Sequence, residues 1–374
     1  MSAAAELRQP VECVISVDGT EIASLYPLLR EVRVDSSRRA AATCSLVFDT
    51  LRKEDGTWLV QDDGTFAPWR RLRIEARFGS RAEEVMRGFV REVRVDCPED
   101  MSSARVTVIG QDESLLLDRK HQRRTWSTED APMTDGQIAQ QIASDHGLAA
   151  QVDGGLTNAS LAADATPIRF LHERAEANGF ELLVRAGTLH FQAPQLSGSP
   201  QPTIRVYAGD ATNCLSLSTR HDGHKPDQVR VIRAAEQGTA QDDITLAPDL
   251  ALLGRSAADS TGAGLGAFVW TLPRPNGATT AEAQARAQAK ANENAWKISA
   301  EGELDGALYG HVLLTHQTVS VDGIGDTYGG VYYVDEVRHV FSAEGYRQHF
   351  KLLSNALGEQ SAAGSRDPIA QVRG

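Results

Sequence analysis

TDGQIAQQIASDHGL (residues 134–148) and TPIRFLHERAEANGFELLVRAGTLHFQ (residues 166–192) carry the strongest local signals in the chain. In the first, Thr134 or Asp135 can accept from the free amides of a helix start. Ile138, Ala139, Ile142 and Ala143 then recur at helical spacing, and Gly147 stands where a left-handed stop belongs. In the second, Thr166-Pro167 opens a helix, because proline's fixed φ and missing donor suit a first turn. Ile168, Leu171 and Ala175 form its apolar stripe and Gly179 ends it. Glu181–Arg185 and Thr188–Gln192 read as two strands around Ala186-Gly187. The middle of the chain is therefore expected to be a helix–helix–hairpin unit.

On both sides of this unit the hydrophobic period changes to two. Val11, Cys13, Ile15 and Val17 share one face before an Asp18-Gly19 turn. Val32 and Val34, then Cys44, Leu46 and Phe48, repeat the pattern. Leu72, Ile74, Ala76 and Phe78 alternate with Arg73, Glu75 and Arg77, and Phe89, Val93, Val95, Val106 and Val108 close the series. Burial of one face in this way predicts an antiparallel sandwich or barrel. Gln111–Leu117 reads as a short helix leaving it, and 121–130 as a polar crossing linker. Beyond a Ser/Gly/Pro-rich boundary at 196–202, strand patterns resume at Thr203–Tyr207, Leu215–Arg220 and 228–234. Thr318–Val321, Val331–Val340 and Tyr346–Leu352 continue them. A loop-rich insertion at about 237–300 includes a helix over 281–298, started by a Thr279/Glu282 capping box and striped with alanines. Two β regions of similar size thus flank an α+β middle.

Composition bounds the function. The chain has 374 residues, 41% hydrophobic and 24% charged, with a net charge of −12. That size supports two or three domains with real cores. The acidity argues against nucleic acid as the main partner, since phosphate binding needs a basic face. Neither a signal peptide nor a membrane-spanning apolar run is read in the sequence. Cys13, Cys44, Cys97 and Cys214 are scattered without a CxxC pair, and Cys13 and Cys44 read as small buried hydrophobes.

Gly262–Gly266 lacks the Gly-Lys-Ser/Thr ending of a phosphate loop. Cys214, His221 and His224 have no fourth ligand for zinc, and Asp222-Gly223 with Pro226 signals a turn. His172-Glu173 has no HExxH continuation. His339 sits in a strand among tyrosines and reads as an interface residue rather than a base. Asp62-Asp63 reads as solvated turn chemistry. Asp242-Asp243 and Glu83-Glu84 are adjacent, so on a strand they point to opposite faces and make a poor acid/base pair. No catalytic, cofactor or metal residue is assigned.

Three stretches, in order and at fitting separations, resemble the phage late-control D family of baseplate hub proteins, related to the N-terminal part of type VI secretion spike proteins. The first runs from Val14-Ile15-Ser16-Val17-Asp18-Gly19 to Arg87-Gly88-Phe89-Val90 and Gly110-Gln111-Asp112. The second runs from Gly136-Gln137-Ile138-Ala139 through His146-Gly147-Leu148 to Phe170-Leu171-His172-Glu173-Arg174-Ala175 and Asn178-Gly179-Phe180. The third is Val319-Ser320-Val321-Asp322-Gly323, then Gly330–His339, then Gly345-Tyr346.

The resemblance implies a mainly β fold: two tail-tube-like antiparallel barrels (1–118 and 201–357) joined by an α+β adaptor (119–200), with a flexible tail at 358–374. It implies a structural, non-enzymatic hub of a contractile tail or phage-like injection system. Three copies would match a threefold spike to a sixfold tube, and an acidic lumen would repel DNA. Its partners would be two further copies, a separate spike protein, a tail tube protein and other baseplate proteins, with no sequence-specific nucleic acid and no membrane insertion. Its place would be the virion tail baseplate or injection particle, assembled in a bacterial cytoplasm. A baseplate-associated cell-wall hydrolase and a carbohydrate-binding adhesin are the competing expectations.

Overall fold

Half-buried strands need partners for every amide and carbonyl, and here the two β regions find them in each other. The structure, a computed structural model, describes residues 10–232, 243–259, 264–273 and 279–358. The first region holds β1 (Val11–Val17), β2 (Thr20–Glu21), β3 (Leu29–Ser37), β4 (Ala40–Asp49), β5 (Arg71–Phe78), β6 (Arg81–Asp96) and β7 (Arg105–Asp112). The middle holds β8 (Gln122–Ser127), β9 (Met133–Thr134), helix α1 (Asp135–Asp145), β10 (Ala149–Val152), β11 (Thr157–Asn158) and β12 (Leu161–Ala165). Helix α2 (Pro167–Asn178), β13 (Glu181–Arg185) and β14 (Thr188–Gln192) complete it.

The last region begins with β15 (Gln201–Arg205), β16 (Cys214–His221), β17 (Gln228–Val231), β18 (Ile244–Leu246), β19 (Ser256–Ala257) and β20 (Val269–Leu272). Helix α3 (Thr280–Ala295), β21 (Ile298–Asp305), the short α4 (Gly306–Tyr309), β22 (Thr318–Asp322), β23 (Gly330–Ser342), β24 (Gly345–Ser354) and β25 (Ala356–Leu357) follow.

One 13-stranded sheet runs in the order β16-β21-β24-β23-β3-β4-β7-β6-β5-β1-β2, with β22 and β15 branching from β23. Two separate barrels were expected. Instead β3 pairs antiparallel with β23 from Val32↔Phe341 to Ser37↔Glu336, and no pairing among the described residues closes either half. The reason is physical: an exposed edge is a row of unsatisfied groups, and the facing edges of the halves satisfy one another. Each half has a core, and the first also takes in Val312, Phe341 and Tyr346 of the second. Ile15, Val34, Leu46, Leu72, Ile74, Val106 and Val108 lie in the first, and Ile204, Leu304, Val321, Val334 and Leu352 in the second.

The middle unit follows its local signals. Thr134 caps α1 in a reciprocal box with Gln137, Pro167 opens α2, and Gly179 ends it at φ 68°. β13 and β14 pair from Glu181↔Gln192 to Arg185↔Thr188, and β10 adds parallel to β14. Two expectations need correction. The polar stretch read as a linker contains β8, which pairs antiparallel with β12. Its Arg/Thr/Trp pattern is that of a strand with little buried surface, so alternation did not mark it. The short helix read over 111–117 is a 3₁₀ turn over Glu113–Asp118, capped by the Asp112 side chain.

In the inserted segment α3 presents Ala287 and Ala291 to Val229 and Val231 of β17. Its Ala289 meets α2 so closely that a Cβ on Gly179 would lie 2.8 Å from the alanine's own. The tail at 359–374 and part of the insertion lie outside the described residues.

Gly88 marks the point where β6 leaves β5 and joins β7: it pairs with both Leu72 and Asp112. A Cβ there would lie 1.9 Å from the Gln111 carbonyl oxygen. Gly88→Ala should therefore destabilise the chain by about 1–3 kcal/mol, as overpacking against backbone does. Urea unfolding checks this, and a midpoint unchanged from wild type would refute the crossing constraint.

Candidate functional site: a buried ionic junction beneath an open polar sheet face

The turn between β3 and β4 places Arg38 where the first region, the middle unit, the second region and α3 meet. Its side chain is 7% exposed. Nε donates to Asp335 Oδ1 of β23 at 3.0 Å, Nη1 to Glu181 Oε1 of β13 at 3.3 Å, and Nη2 to Glu293 Oε2 of α3 at 3.1 Å. The Arg38 amide also donates to the Asp335 carbonyl. Arg39 pairs with Glu293 from outside. The Tyr333 hydroxyl donates to the other Glu181 oxygen, and Trp296, 2% exposed, stacks on the Tyr333 ring at 5.7 Å.

A buried ion pair adds little net stability, but breaking one strands a charge. The cluster therefore fixes how four segments meet rather than how tightly each folds. Three carboxylates share two guanidinium groups. Burial pushes the Glu181 carboxyl up to about 7, against the opposing pull of Arg38.

A second buried network sets the middle unit. Arg174 of α2 grips Asp135, at the start of α1, through two bonds of 2.7 and 2.9 Å. Asn158 and Asn178 donate to the same carboxylate at 2.9 and 2.7 Å. Glu282 of α3 approaches Arg174 at 3.6 Å.

Above the junction, eight strands from β16 to β6 form a ribbon with one apolar and one polar face. Opposite charges meet across several neighbouring strands of the polar face. Glu301 lies opposite Lys351, which lies opposite Glu336. Glu303, His349, Arg338 and Asp35 form the next row, with Arg338 Nε 2.6 Å from Asp35. Within β6, Arg94 pairs with Glu92 at 2.9 Å, and across strands Arg347 pairs with Asp305. Cross-strand opposites of this kind stabilise a register where like charges would oppose it. Counting every polar-face position on the ribbon, seven arginines and lysines stand against nine carboxylates. In a chain of net charge −12 the face is nearly balanced.

The motifs weighed in the sequence are dispersed. Cys214 is buried at the start of β16, and its thiol faces the Ser216 carbonyl. His224 stacks on Phe268, and His221 lies against Tyr328. Among the described residues no three His, Cys, Asp or Glu side chains group as metal ligands. His172 is exposed on α2. His339 is fully interior, with Nδ1 2.8 Å from the Tyr346 hydroxyl; burial and then Arg185 push its imidazole down to about 3. Glu83 takes the Val312 amide and His311, while Glu84 pairs with Arg73 and Arg87. Asp62 accepts the Trp58 amide as a turn residue. Asp242, Gly262 and Ala263 lie outside the described residues.

Sequence reasoning missed Arg38, Glu181, Glu293 and Asp335, which stand 143 to 297 residues from one another along the Arg38 bonds. The one usable signal was an acidic residue, Glu181, opening a strand whose next three residues are apolar.

A family model described as the Alg8 N-terminal domain matches residues 8–343, most of the chain. The chain belongs to the Alg8 N-terminal domain family. That description names no activity, and no curated protein sequence matches significantly. Solved structures are more informative about the fold of this family member. The 43 kDa tail protein of prophage MuSo2 from Shewanella oneidensis shares it at a TM-score of 0.67 and 15% identity, over 93% of this chain and 99% of that one. The tail protein from Neisseria meningitidis MC58 matches at 0.62 and 14% identity, over 94% and 98%.

The E. coli c3393 protein matches at 0.54 and 11% identity, over 95% and 80%. That protein is described as a type VI secretion component similar in structure to bacteriophage T4 tail proteins gp27 and gp5. The resemblance to tail hub proteins carried by the sequence motifs is thus present in the fold, along nearly the whole chain.

Because the Glu181 carboxyl is raised above its unfolded value, its contribution to stability is fully present below pH 4.5. It is lost as pH rises through about 7. Glu181→Gln cannot ionise, so it should gain on wild type by roughly 1–3 kcal/mol between pH 5 and pH 8. Urea unfolding of both proteins at the two pH values measures this difference. A difference that does not change with pH would mean Glu181 is ionised throughout.

Proposed function

We propose that the chain is a structural baseplate hub of a contractile tail or phage-like injection system, matching a threefold spike to a sixfold tube. The observation that carries this reading is the ribbon itself. Residues 1–118 and 201–357 each contribute four consecutive antiparallel strands, β3-β4-β7-β6 and β16-β21-β24-β23, to one polar face. A chain that offers two comparable four-stranded units side by side can present six of them in three copies. The adaptor at 119–200 and its α3 contact hold the two units at a fixed angle through the Arg38 and Asp135 clusters. The fold shared with tail proteins supports the same reading.

On this reading the role is mechanical and no residue is catalytic. The partners are two further copies, a separate spike protein on one side, a tail tube protein on the other, and surrounding baseplate proteins. The place is the baseplate of a virion tail or injection particle. No helix among the described residues is long and apolar enough to cross a membrane.

The purified full chain should show three times its monomer mass by light scattering, as a closed ring in electron micrographs. A monomer across the whole accessible concentration range, alone and mixed with its spike, would overturn the assignment. Peptidoglycan zymography should give no clearing, and clearing would move the chain to the hydrolase class.

A further inference from the structure

The ribbon ends in two free edges, and these edges fit each other. On one side lies the outer edge of β16, which pairs only with β21. On the other lies the second half of β6. Up to Phe89 it pairs with β5, and the Val90 amide and carbonyl bond to Arg70 and Trp69. From Glu92 to Asp96 it pairs with β7 alone. Other margins of the same sheet carry local bonds. The Ile15 carbonyl and amide on β1 take the Ile22 amide and the Tyr26 hydroxyl. The Asn213 side chain bonds along β15 at Arg205 and Thr203.

Both free edges carry apolar residues without cover. Val95, on the core face opposite Val106, is 42% exposed. Leu217, on the core face of β16, is half-buried, and Leu215 in the bulge beside it is 51% exposed. Unpaired edges with apolar residues are templates for strand addition. Direction and face also agree. Every pairing from β16 to β6 is antiparallel, and an even number of strands leaves the two edges running in opposite senses. A β6 edge can therefore receive the β16 edge of another copy without breaking the alternation, and the polar face continues across the join.

We propose that copies of this chain join by antiparallel pairing of Glu92–Asp96 in one with Ser216–Arg220 in the next, with Val95 opposite Leu217. This rests on the hub reading and specifies its copy-to-copy contact. Charge selects the register. With Val95 opposite Leu217, Val93 faces Thr219, Arg94 faces Ser218 and Glu92 faces Arg220, an opposite-charge pair. Sliding two residues one way places Arg94 opposite Arg220; sliding two the other way leaves Arg220 without Glu92. A slip of one residue would turn Val95 and Leu217 to opposite faces, which the core-facing pattern forbids. Joined in this register, Val95, Leu215 and Leu217 extend the two cores into one belt between neighbours.

Directly opposed positions bring Cβ atoms to about 4.5–5.5 Å, near disulfide reach. In a Cys97→Ser background, which removes the exposed native thiol, the full chain with Val95→Cys and Leu217→Cys is oxidised at low concentration. Covalent ladders of two and three copies are expected. Either single variant, or Val95→Cys with Ser218→Cys on the opposite face, should give none. Independently, Val95→Asp with Leu215→Asp should raise the concentration for half-assembly at least about tenfold, with an unchanged far-UV spectrum and unfolding midpoint.

If copies assemble but neither the cross-link nor the weakened assembly is seen, this edge pairing is wrong and the hub reading stands. If the wild-type chain never assembles, both fall.

Discussion

The antiparallel ladder between β3 and β23 is the contact on which the rest of the architecture depends. It joins segments about 300 residues apart and turns two half-open sheets into one ribbon. Loop closure over such a distance costs conformational entropy that a few backbone bonds cannot offset. The ladder is therefore reinforced where it ends. Arg38 stands in the turn just past Ser37 and binds Asp335 through both its amide and its guanidinium, while Glu181 and Glu293 bring in the middle unit and α3. The same charges placed at an exposed surface would be worth little. Mostly buried, with Tyr333 on the second Glu181 oxygen and Arg39 on Glu293, they penalise any other relative placement of the four segments.

That arrangement separates two jobs. The cores supply cohesion inside each half, through nearly fully buried β-branched and aliphatic side chains at period two. The ionic clusters supply orientation between the parts. Arg174 with Asp135 does for α1, α2 and the β9–β11 strand pair what Arg38 does for the halves. Two sheet units are held at one angle more specifically by such contacts than by a larger apolar interface. An apolar interface tolerates sliding, whereas a guanidinium fork does not.

The sequence was legible where the physics is local. The capping box at Thr134, the proline at α2's first position, the left-handed stop at Gly179 and the Ala186-Gly187 hairpin all act within a few residues, and the elements form where those signals place them. Alternation likewise marked most ribbon strands and their buried face. It could not say which strand lies beside which: the two barrels that the resemblance implied are one 13-stranded sheet. It also missed β8, whose Arg123, Arg124 and Thr125 bury almost nothing on either face, and it gave no hint of Arg38. An arginine in a polar turn, Ser37 to Arg39, looks like any solvated hairpin tip until a partner some 300 residues away covers it.

The polar face shows the same limit from the other side. Net charge sums the whole chain and cannot see which surface each charge occupies. Strand register distributes them differently. Wherever an acid falls on the ribbon's polar face, the neighbouring strand tends to supply a cation, so the field along that face is close to cancelled and the excess acidity lies on other surfaces. A surface of short-range opposite charges with serines and threonines between them carries no long stretch of one sign. It also needs no counter-ion layer of its own to keep eight strands in register. The constraint that fixes the strands and the property of the surface they present are then one thing, set by which residues the β3–β23 ladder brings side by side.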